Sequence, residues 1–172
     1  MQKMPLKIIL TGPESSGKTT LAKLLADTLD TNLVPEFSRP YLEFLGRPYH
    51  YDDLNTILKG QSNWELWHAQ QCTKQVMVCD TDWTVIRIWE QFRYGTVLFT
   101  QNQVIEPHTH YFLCAPDMPW QPDPLRENPA ERALLFEMYL HLLTVLQANF
   151  TILQGNELQR LAVALEIIQK LY

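Results

Sequence analysis

The sequence has few charged residues and no excess of positive charge. Charged side chains make up 19% of its 172 residues, and 14 lysines and arginines stand against 19 aspartates and glutamates, which gives a net charge of −5. Proteins that bind duplex nucleic acid usually present a basic surface, so this composition argues against a nucleic-acid partner. A small anionic substrate is still compatible with it, because a few local positive groups outweigh the net charge inside a pocket.

Cysteines and long apolar runs are also scarce. The three cysteines, Cys72, Cys79 and Cys114, form no C-x-x-C pair, which predicts buried thiols in a reducing cytosol rather than a disulfide framework. No apolar run approaches the ~18 residues of a membrane-spanning helix, and the run Ile8–Leu10 is too short for a signal peptide. We therefore expect a cytoplasmic protein with no membrane partner.

Short apolar segments alternate with helical patterns along the chain. The predicted strands are Leu6–Thr11, Leu33–Val34, Val76–Cys79, Tyr111–Ala115 and Phe150–Leu153. Apolar residues at helical spacing predict helices over Lys18–Leu29, 134–146 and 158–168. The segment Ser62–Thr73 can also be helical. This alternation predicts an α/β fold in which helices flank a parallel five-stranded sheet. The length suits one domain over residues 1–172, with functional groups at the carboxyl ends of the strands.

A proline-rich stretch interrupts this alternation after the fourth strand. Five of the eleven prolines fall between Pro116 and Pro129, and proline blocks regular structure because it has no N–H group. The segment Pro116–Asn128 is therefore predicted to be an irregular loop. Long loops in compact domains are often functional, so we name residues 116–132 the lid, with a rigid surface connection as the alternative. The next helix is expected to use Asn128 as its cap and Pro129 as its first residue.

The most informative segment follows the first predicted strand. Its sequence, G-P-E-S-S-G-K-T, matches the phosphate-binding pattern G-x-x-x-x-G-K-[ST] and leads into a predicted helix. Lys18 is expected to reach the β- and γ-phosphates of a nucleotide, and the Thr19 hydroxyl is expected to bind Mg²⁺. Glu14 and Thr20 fit the start of the helix better than catalysis. The predicted nucleotide-binding residues are Gly12, Pro13, Glu14, Ser15, Ser16, Gly17, Lys18, Thr19 and Thr20.

Acidic residues follow the second and third strands. Asp80 ends an apolar strand, and its carboxylate is expected to hold Mg²⁺ directly or through water. Asp82 either contacts substrate hydroxyls or caps the helix that begins near Trp83. Glu36 can accept a proton from an attacking hydroxyl, or it belongs to a surface turn with an internal ion pair. The sequence does not decide whether Glu36 or Asp82 is the general base.

Three arginines accompany these acids. Arg39 can pair with an anionic group or stack on a base. Arg126 and Arg132 lie in the lid, where closure would exclude water and bring positive charge to a transferring phosphoryl group. The alternative for both lid arginines is a solvated helix start.

Two classes of phosphate-loop protein compete. A signalling GTPase needs a guanine-reading N-K-x-D motif, which the late segment Leu153–Glu157 does not supply. A small-molecule kinase needs a phosphate loop, a metal carboxylate, an acid that faces the substrate and a lid with arginines. Candidates for all four occur in this sequence, which favours the kinase.

Four motifs together resemble the ribosylnicotinamide kinase domain of the bacterial NadR-type regulators of NAD synthesis. They are G-P-E-S-S-G-K-T at 12–19, P-E-F-S-R at 35–39, D-T-D at 80–82 and W-Q-P-D-P-L-R at 120–126. The resemblance implies a nucleoside-kinase-like fold that transfers phosphate from ATP to nicotinamide riboside. It implies ATP phosphates on the first motif, metal chemistry near Asp80, substrate contacts near Glu36, Arg39 and Asp82, and lid contacts at Asp123 and Arg126.

The sequence therefore predicts an ATP- and Mg²⁺-dependent kinase of a nucleoside-like small molecule, with nicotinamide riboside as the first candidate. Lys18, Mg²⁺ and Arg126 are expected to stabilise charge, and Glu36 or Asp82 to deprotonate the hydroxyl. Arg39, Asp123 and Arg132 are expected to contact the substrate. One alternative is a kinase of another nucleoside or nucleotide; another is a nucleotide-dependent switch that binds a protein partner. A chain of 172 residues is expected to hold no additional adenylyltransferase.

Overall fold

The computed structural model describes residues 4–171, over which strands and helices alternate. In chain order the elements are β1 (Leu6–Thr11), α1 (Lys18–Thr28), β2 (Leu33–Val34), α2 (Ser38–Leu45), α3 (Tyr51–Gln71), β3 (Val76–Asp80), α4 (Trp83–Tyr94), β4 (Thr109–Cys114), α5 (Arg132–Val145), β5 (Phe150–Leu153) and α6 (Glu157–Gln169). Within residues 4–171, no helix combines the length and apolar character that crossing a bilayer requires.

The five strands form one parallel sheet in the order β2-β3-β1-β4-β5. β1 lies at the centre, where Ile9 is level with Cys79 of β3 on one side and Tyr111 of β4 on the other. Every residue of β3 and β4 is buried, as expected for strands that are covered on both faces. The predicted α/β fold with a parallel five-stranded sheet is confirmed.

Helices cover both faces of the sheet because successive strand residues point to opposite sides. Ile8 and Leu10 pack into a core with α1 and α6, which contribute Leu21 and Ala164. Ile9 packs on the other face, in a core built with α3, α4 and α5. All three cysteines are buried within these two cores, as the sequence predicts.

Helix α2 and the first half of α3 were not predicted from the sequence. The reason lies in polar residues on the buried side of α3, which interrupt its apolar periodicity. Asp53 accepts a hydrogen bond from the Tyr41 hydroxyl at 2.7 Å, and Gln61 Oε1 accepts one from the backbone N–H of Phe37 at 2.9 Å. These partners in and beside α2 satisfy the buried polar groups of α3. The polar residues on the buried side of α3 are therefore explained by contacts with α2, which the sequence pattern does not reveal.

The predicted start of the helix after the lid is wrong. α5 begins at Arg132, and Glu131 before it makes no side-chain cap. The backbone N–H of Asn128 instead donates to Glu14 Oε2 at 2.9 Å, so Pro129 lies in an irregular segment that runs from 116 to 131. A contact with the phosphate loop has replaced the local cap that the sequence pattern suggests.

Candidate active site

The phosphate-binding loop connects β1 to α1 in a conformation that depends on its glycines. Gly12 has φ +133° and Gly17 has φ +79°, values that side chains disfavour. A Cβ atom on Gly12 would lie 2.6 Å from the carbonyl oxygen of Cys114, so the loop also packs too closely against β4 to admit one. The Lys18 ammonium and the Ser16 hydroxyl each donate to the Pro13 carbonyl oxygen at 2.7 Å, which keeps the loop compact.

The loop forms one side of a cleft of about 250 Å³ at the carboxyl edge of the sheet. All nine residues from Gly12 to Thr20 line the cleft, as do Glu36, Arg39 and Arg126. The other lining residues include an apolar and aromatic group, formed by Leu42, Ile88, Trp89, Phe92, Leu135 and Tyr139. The cleft thus joins a phosphate-binding surface to a wall suited to a flat organic group.

Asp80 is the last residue of β3 and lies beside Thr19 at the start of α1. Burial raises the pKa of its carboxyl to about 6, and the charge of Glu36 adds to that rise, whereas the Thr19 hydroxyl and the Lys18 ammonium oppose it. Asp80 Oδ1 is buried and has no hydrogen-bond partner. A buried carboxylate oxygen without a donor, next to a threonine hydroxyl, is a donor set that suits a hard cation such as Mg²⁺.

Asp82 does not line the cleft. Its Oδ1 accepts hydrogen bonds from the Thr84 backbone N–H at 3.0 Å and the Thr84 hydroxyl at 2.6 Å, and its Oδ2 accepts one from the Tyr111 hydroxyl at 2.7 Å. Between the two aspartates, Thr81 has φ +68°, which turns the chain so that Asp82 becomes the N-cap of α4. Of the two interpretations of Asp82, the structure favours the helix cap.

Glu36 lies in the cleft, and a neighbouring hydroxyl orients it. Ser38 Oγ donates to Glu36 Oε1 at 2.7 Å, which leaves the second carboxylate oxygen available to a bound molecule. Arg39, also in the cleft wall, pairs with Asp123 of the lid at 3.2 Å. A backbone N–H, that of Leu125, and Arg39 together hold the pKa of Asp123 below its usual value. Two predicted substrate contacts, Arg39 in the cleft wall and Asp123 in the lid, therefore bind each other.

The two lid arginines occupy different positions. Arg126 lines the cleft, and its Nη1 donates to the carbonyl oxygen of Gln121 within the lid. Arg132 contacts the phosphate loop and the lid: its Nη2 donates to the carbonyl oxygens of Ser15 at 3.0 Å and Met118 at 2.9 Å. The structure thus brings Arg126 into the cleft, whereas Arg132 joins the loop to the lid.

Arg160 is a residue of this region that the sequence reasoning missed. It is 1% exposed and donates to the carbonyl oxygens of Gly155 at 2.9 Å, Ser16 at 2.6 Å and Ala115 at 3.0 Å. It also pairs with Asp117 at the start of the lid. A signal for this role was present, because Arg160 lies four and eight residues before the buried Ala164 and Ile168, on the core side of α6.

This arrangement of a phosphate loop after the first strand of a parallel sheet is also found in known proteins. A family model described as AAA domain matches residues 7–160. The chain belongs to this AAA domain family. A search of curated proteins finds no match, so structural likeness supplies the other comparisons.

Several solved structures share the fold of this AAA domain. NadR in complex with NR superimposes with a TM-score of 0.79 at 20% identity, covering 97% of this chain and 51% of the NadR chain. NadR in complex with NAD and AMP-PNP gives 0.71 at 18% identity, with 97% and 49% covered. Thymidylate kinase from Ehrlichia chaffeensis gives 0.69 at 14% identity, with 97% and 100% covered. The chain spans about half the length of the NadR chains that it matches.

These likenesses confirm the fold that the four motifs imply. The AAA domain shares its fold with solved nucleoside and nucleotide kinases, which align with 95% and 97% of this chain. Identities of 20% and below establish the architecture alone.

Proposed function

We propose that this protein is an ATP- and Mg²⁺-dependent kinase that phosphorylates nicotinamide riboside on its 5′-hydroxyl. One observation carries the proposal: a phosphate-binding loop and a carboxylate that can accept a proton, Glu36, line the same cleft. Phosphoryl transfer needs little covalent chemistry from the protein beyond such positioning and charge stabilisation.

The phosphate loop supplies the donor side of the proposed site. Its backbone N–H groups and the N-terminus of α1 suit the phosphates of ATP, and Lys18 is the residue that would bind the β- and γ-phosphates. Thr19 and Asp80 are the residues that would hold Mg²⁺. When bound, the ion would neutralise charge on the phosphate oxygens.

Glu36 supplies the acceptor side. Its Oε1 accepts the hydrogen bond from Ser38, and Oε2 is the atom that would take the proton of the acceptor hydroxyl. The hydroxyl oxygen then forms a bond to the γ-phosphorus as the bond from that phosphorus to the bridging oxygen of ADP breaks. Arg126, in the cleft and on the lid, stabilises the negative charge that develops on the transferring oxygens. Asp82 is unsuited to the base role because protein donors occupy both of its oxygens.

The acceptor is proposed from the shape of the remaining wall and from the fold likeness. Trp89, Phe92 and Tyr139 give an aromatic surface for a flat ring, and a NadR structure with high fold similarity contains NR. The similarity to thymidylate kinase makes another nucleoside or a nucleotide the second candidate acceptor.

The test is ADP release measured with an acceptor panel. The wild-type protein, with ATP and Mg²⁺, is offered nicotinamide riboside, adenosine, thymidine and thymidylate, and products are identified by mass. Turnover chiefly with nicotinamide riboside supports the proposal. Turnover with thymidine or thymidylate alone would instead support the second candidate, a kinase of another nucleoside or of a nucleotide. Slow hydrolysis that no acceptor changes, together with capture of a protein in one nucleotide state, would replace the kinase with a nucleotide-dependent switch.

A further inference from the structure

The phosphate loop contains a carboxylate, Glu14, that contacts the lid through three nitrogen donors. Its oxygens accept hydrogen bonds from the backbone N–H of Glu127 at 3.1 Å, from the backbone N–H of Asn128 at 2.9 Å and from Asn128 Nδ2 at 3.4 Å. These partners lie 113 and 114 residues away in sequence. Glu14 therefore fixes one point of the lid directly to the loop.

Neighbouring contacts hold the same part of the lid. Ser15 Oγ accepts a hydrogen bond from the Gln121 backbone N–H at 2.9 Å, and the Glu127 side chain pairs with Arg93 of α4 at 2.5 Å. Arg126, which is adjacent to Glu127, lies between these attachments and faces the cleft. A change at Glu14 removes the acceptor of the two backbone N–H groups on the immediate C-terminal side of Arg126, while the other attachments remain.

A negative charge is unusual in a loop whose chemistry is to bind anions. A free carboxylate at position 14 would repel phosphates bound to the same loop. Hydrogen bonds from N–H donors to a carboxylate delocalise and offset that charge. The lid donors thus remove a penalty for phosphate binding only when the lid is in contact with the loop.

We propose that Glu14 is a positioning residue that couples phosphate binding to lid closure and thereby places Arg126 in the cleft. Because coupling between two equilibria is reciprocal, bound phosphates favour the lid contact, and the lid contact favours bound phosphates. The consequence for catalysis rests on the proposed kinase function, whereas the coupling itself does not.

Hydrogen exchange tests the contact without any assay of activity. Glu14→Ala and the closer mimic Glu14→Gln are compared with wild type, with and without AMP-PNP and Mg²⁺, and Glu166→Ala is the control because Glu166 is exposed on α6. In Glu14→Ala the amides of Glu127 and Asn128 should exchange about tenfold faster or more. Glu14→Gln, which keeps one acceptor oxygen, should fall between Glu14→Ala and wild type. AMP-PNP should slow exchange of the lid in wild type more than in Glu14→Ala.

Kinetics test the positioning role. Glu14→Ala should lower kcat about tenfold with KM for the acceptor nearly unchanged, and Glu14→Ala combined with Arg126→Ala should be no slower than Arg126→Ala alone, because both changes act through one group. Wild-type exchange of the lid in Glu14→Ala, or independent multiplicative losses in the double variant, would overturn the inference. If the wild-type protein phosphorylates no acceptor, the proposed function fails while the exchange experiment still decides the coupling.

Discussion

Arg160 Nη1 donates a hydrogen bond of 2.6 Å to the main-chain carbonyl oxygen of Ser16, across 144 positions of sequence. The same buried guanidinium reaches the ends of β4 and β5 through Ala115 and Gly155. The last helix therefore fixes the backbone of the phosphate loop, although none of its side chains needs to touch a phosphate.

Replacing Arg160 should destabilise the protein and loosen the phosphate loop. Arg160→Ala leaves buried carbonyl groups without donors, and we expect a loss of about 3 kcal/mol in the free energy of unfolding. Arg160→Lys should retain only part of this free energy of unfolding, because an ammonium group cannot reproduce the planar arrangement of guanidinium donors. Urea unfolding measures both losses. A change below about 1 kcal/mol in Arg160→Ala would contradict this role.

Lys18→Ala tests the donor side of the cleft. Removing the ammonium should lower phosphotransfer by about 100-fold or more, while the free energy of unfolding changes little because Lys18 is only half-buried. Lys59→Ala, an exposed change on α3, is the matched control and should keep full activity. Near-wild-type turnover in Lys18→Ala, measured by ADP release, would show the proposed function to be wrong.

The roles of Glu36 and Asp82, general base and helix cap, can be distinguished by comparing how substitutions affect activity and stability. Glu36→Gln should lower kcat by about 100-fold or more, since the proton acceptor is lost, with little effect on unfolding. Asp82→Ala should instead cost about 2 kcal/mol in the free energy of unfolding, because the Thr84 N–H and the Tyr111 hydroxyl lose their acceptor. Urea unfolding and steady-state kinetics on both variants decide the assignment. The reverse pattern would identify Asp82 as the base.

Asp80→Asn should change the dependence of activity on Mg²⁺. The carboxylate has a buried oxygen without a donor, and its replacement removes negative charge from the proposed cation position. We expect the Mg²⁺ concentration for half-maximal activity to rise about tenfold or more, with thermal stability unchanged or higher because a buried charge is removed. A Mg²⁺ titration identical to that of wild type would remove Asp80 from the proposed metal site.

His110 should make the fold sensitive to mild acid. Burial lowers the pKa of its imidazole from the usual 6.5, and its Nε2 lies 3.0 Å from the Thr151 hydroxyl. Because the unfolded chain takes up a proton that the folded state resists, the contribution of His110 to stability is complete above pH 6.5 and falls as the pH drops toward the lower folded pKa. The slope can reach about 1.4 kcal/mol per pH unit.

Urea unfolding between pH 7.5 and about 5 measures this effect. His110→Gln should flatten the dependence, whereas His141→Gln, at an exposed position on α5, should leave it as in wild type. An equal acid loss in wild type and His110→Gln would assign the sensitivity to other groups.

The sequence by itself determined the sheet and the phosphate loop. β1, β3 and β4 read as continuous apolar segments because both faces of a parallel sheet are buried, and the glycine and lysine spacing of residues 12–19 is a local requirement of the loop backbone. The apolar segments and the glycine and lysine spacing each involve residues that are close together in the sequence. Both can therefore be recognised without knowledge of the fold.

Only the tertiary structure decided what the polar residues near the loop do. Asp80 and Asp82 are two positions apart, on either side of Thr81 with its positive φ, yet one lies beside Thr19 at the start of α1 and the other caps α4. Glu14 and Asn128 both fit local helix starts, but they bind each other across 114 residues. A hydrogen-bonding side chain has several local uses of similar energy, and the partner that packing brings within reach selects among them.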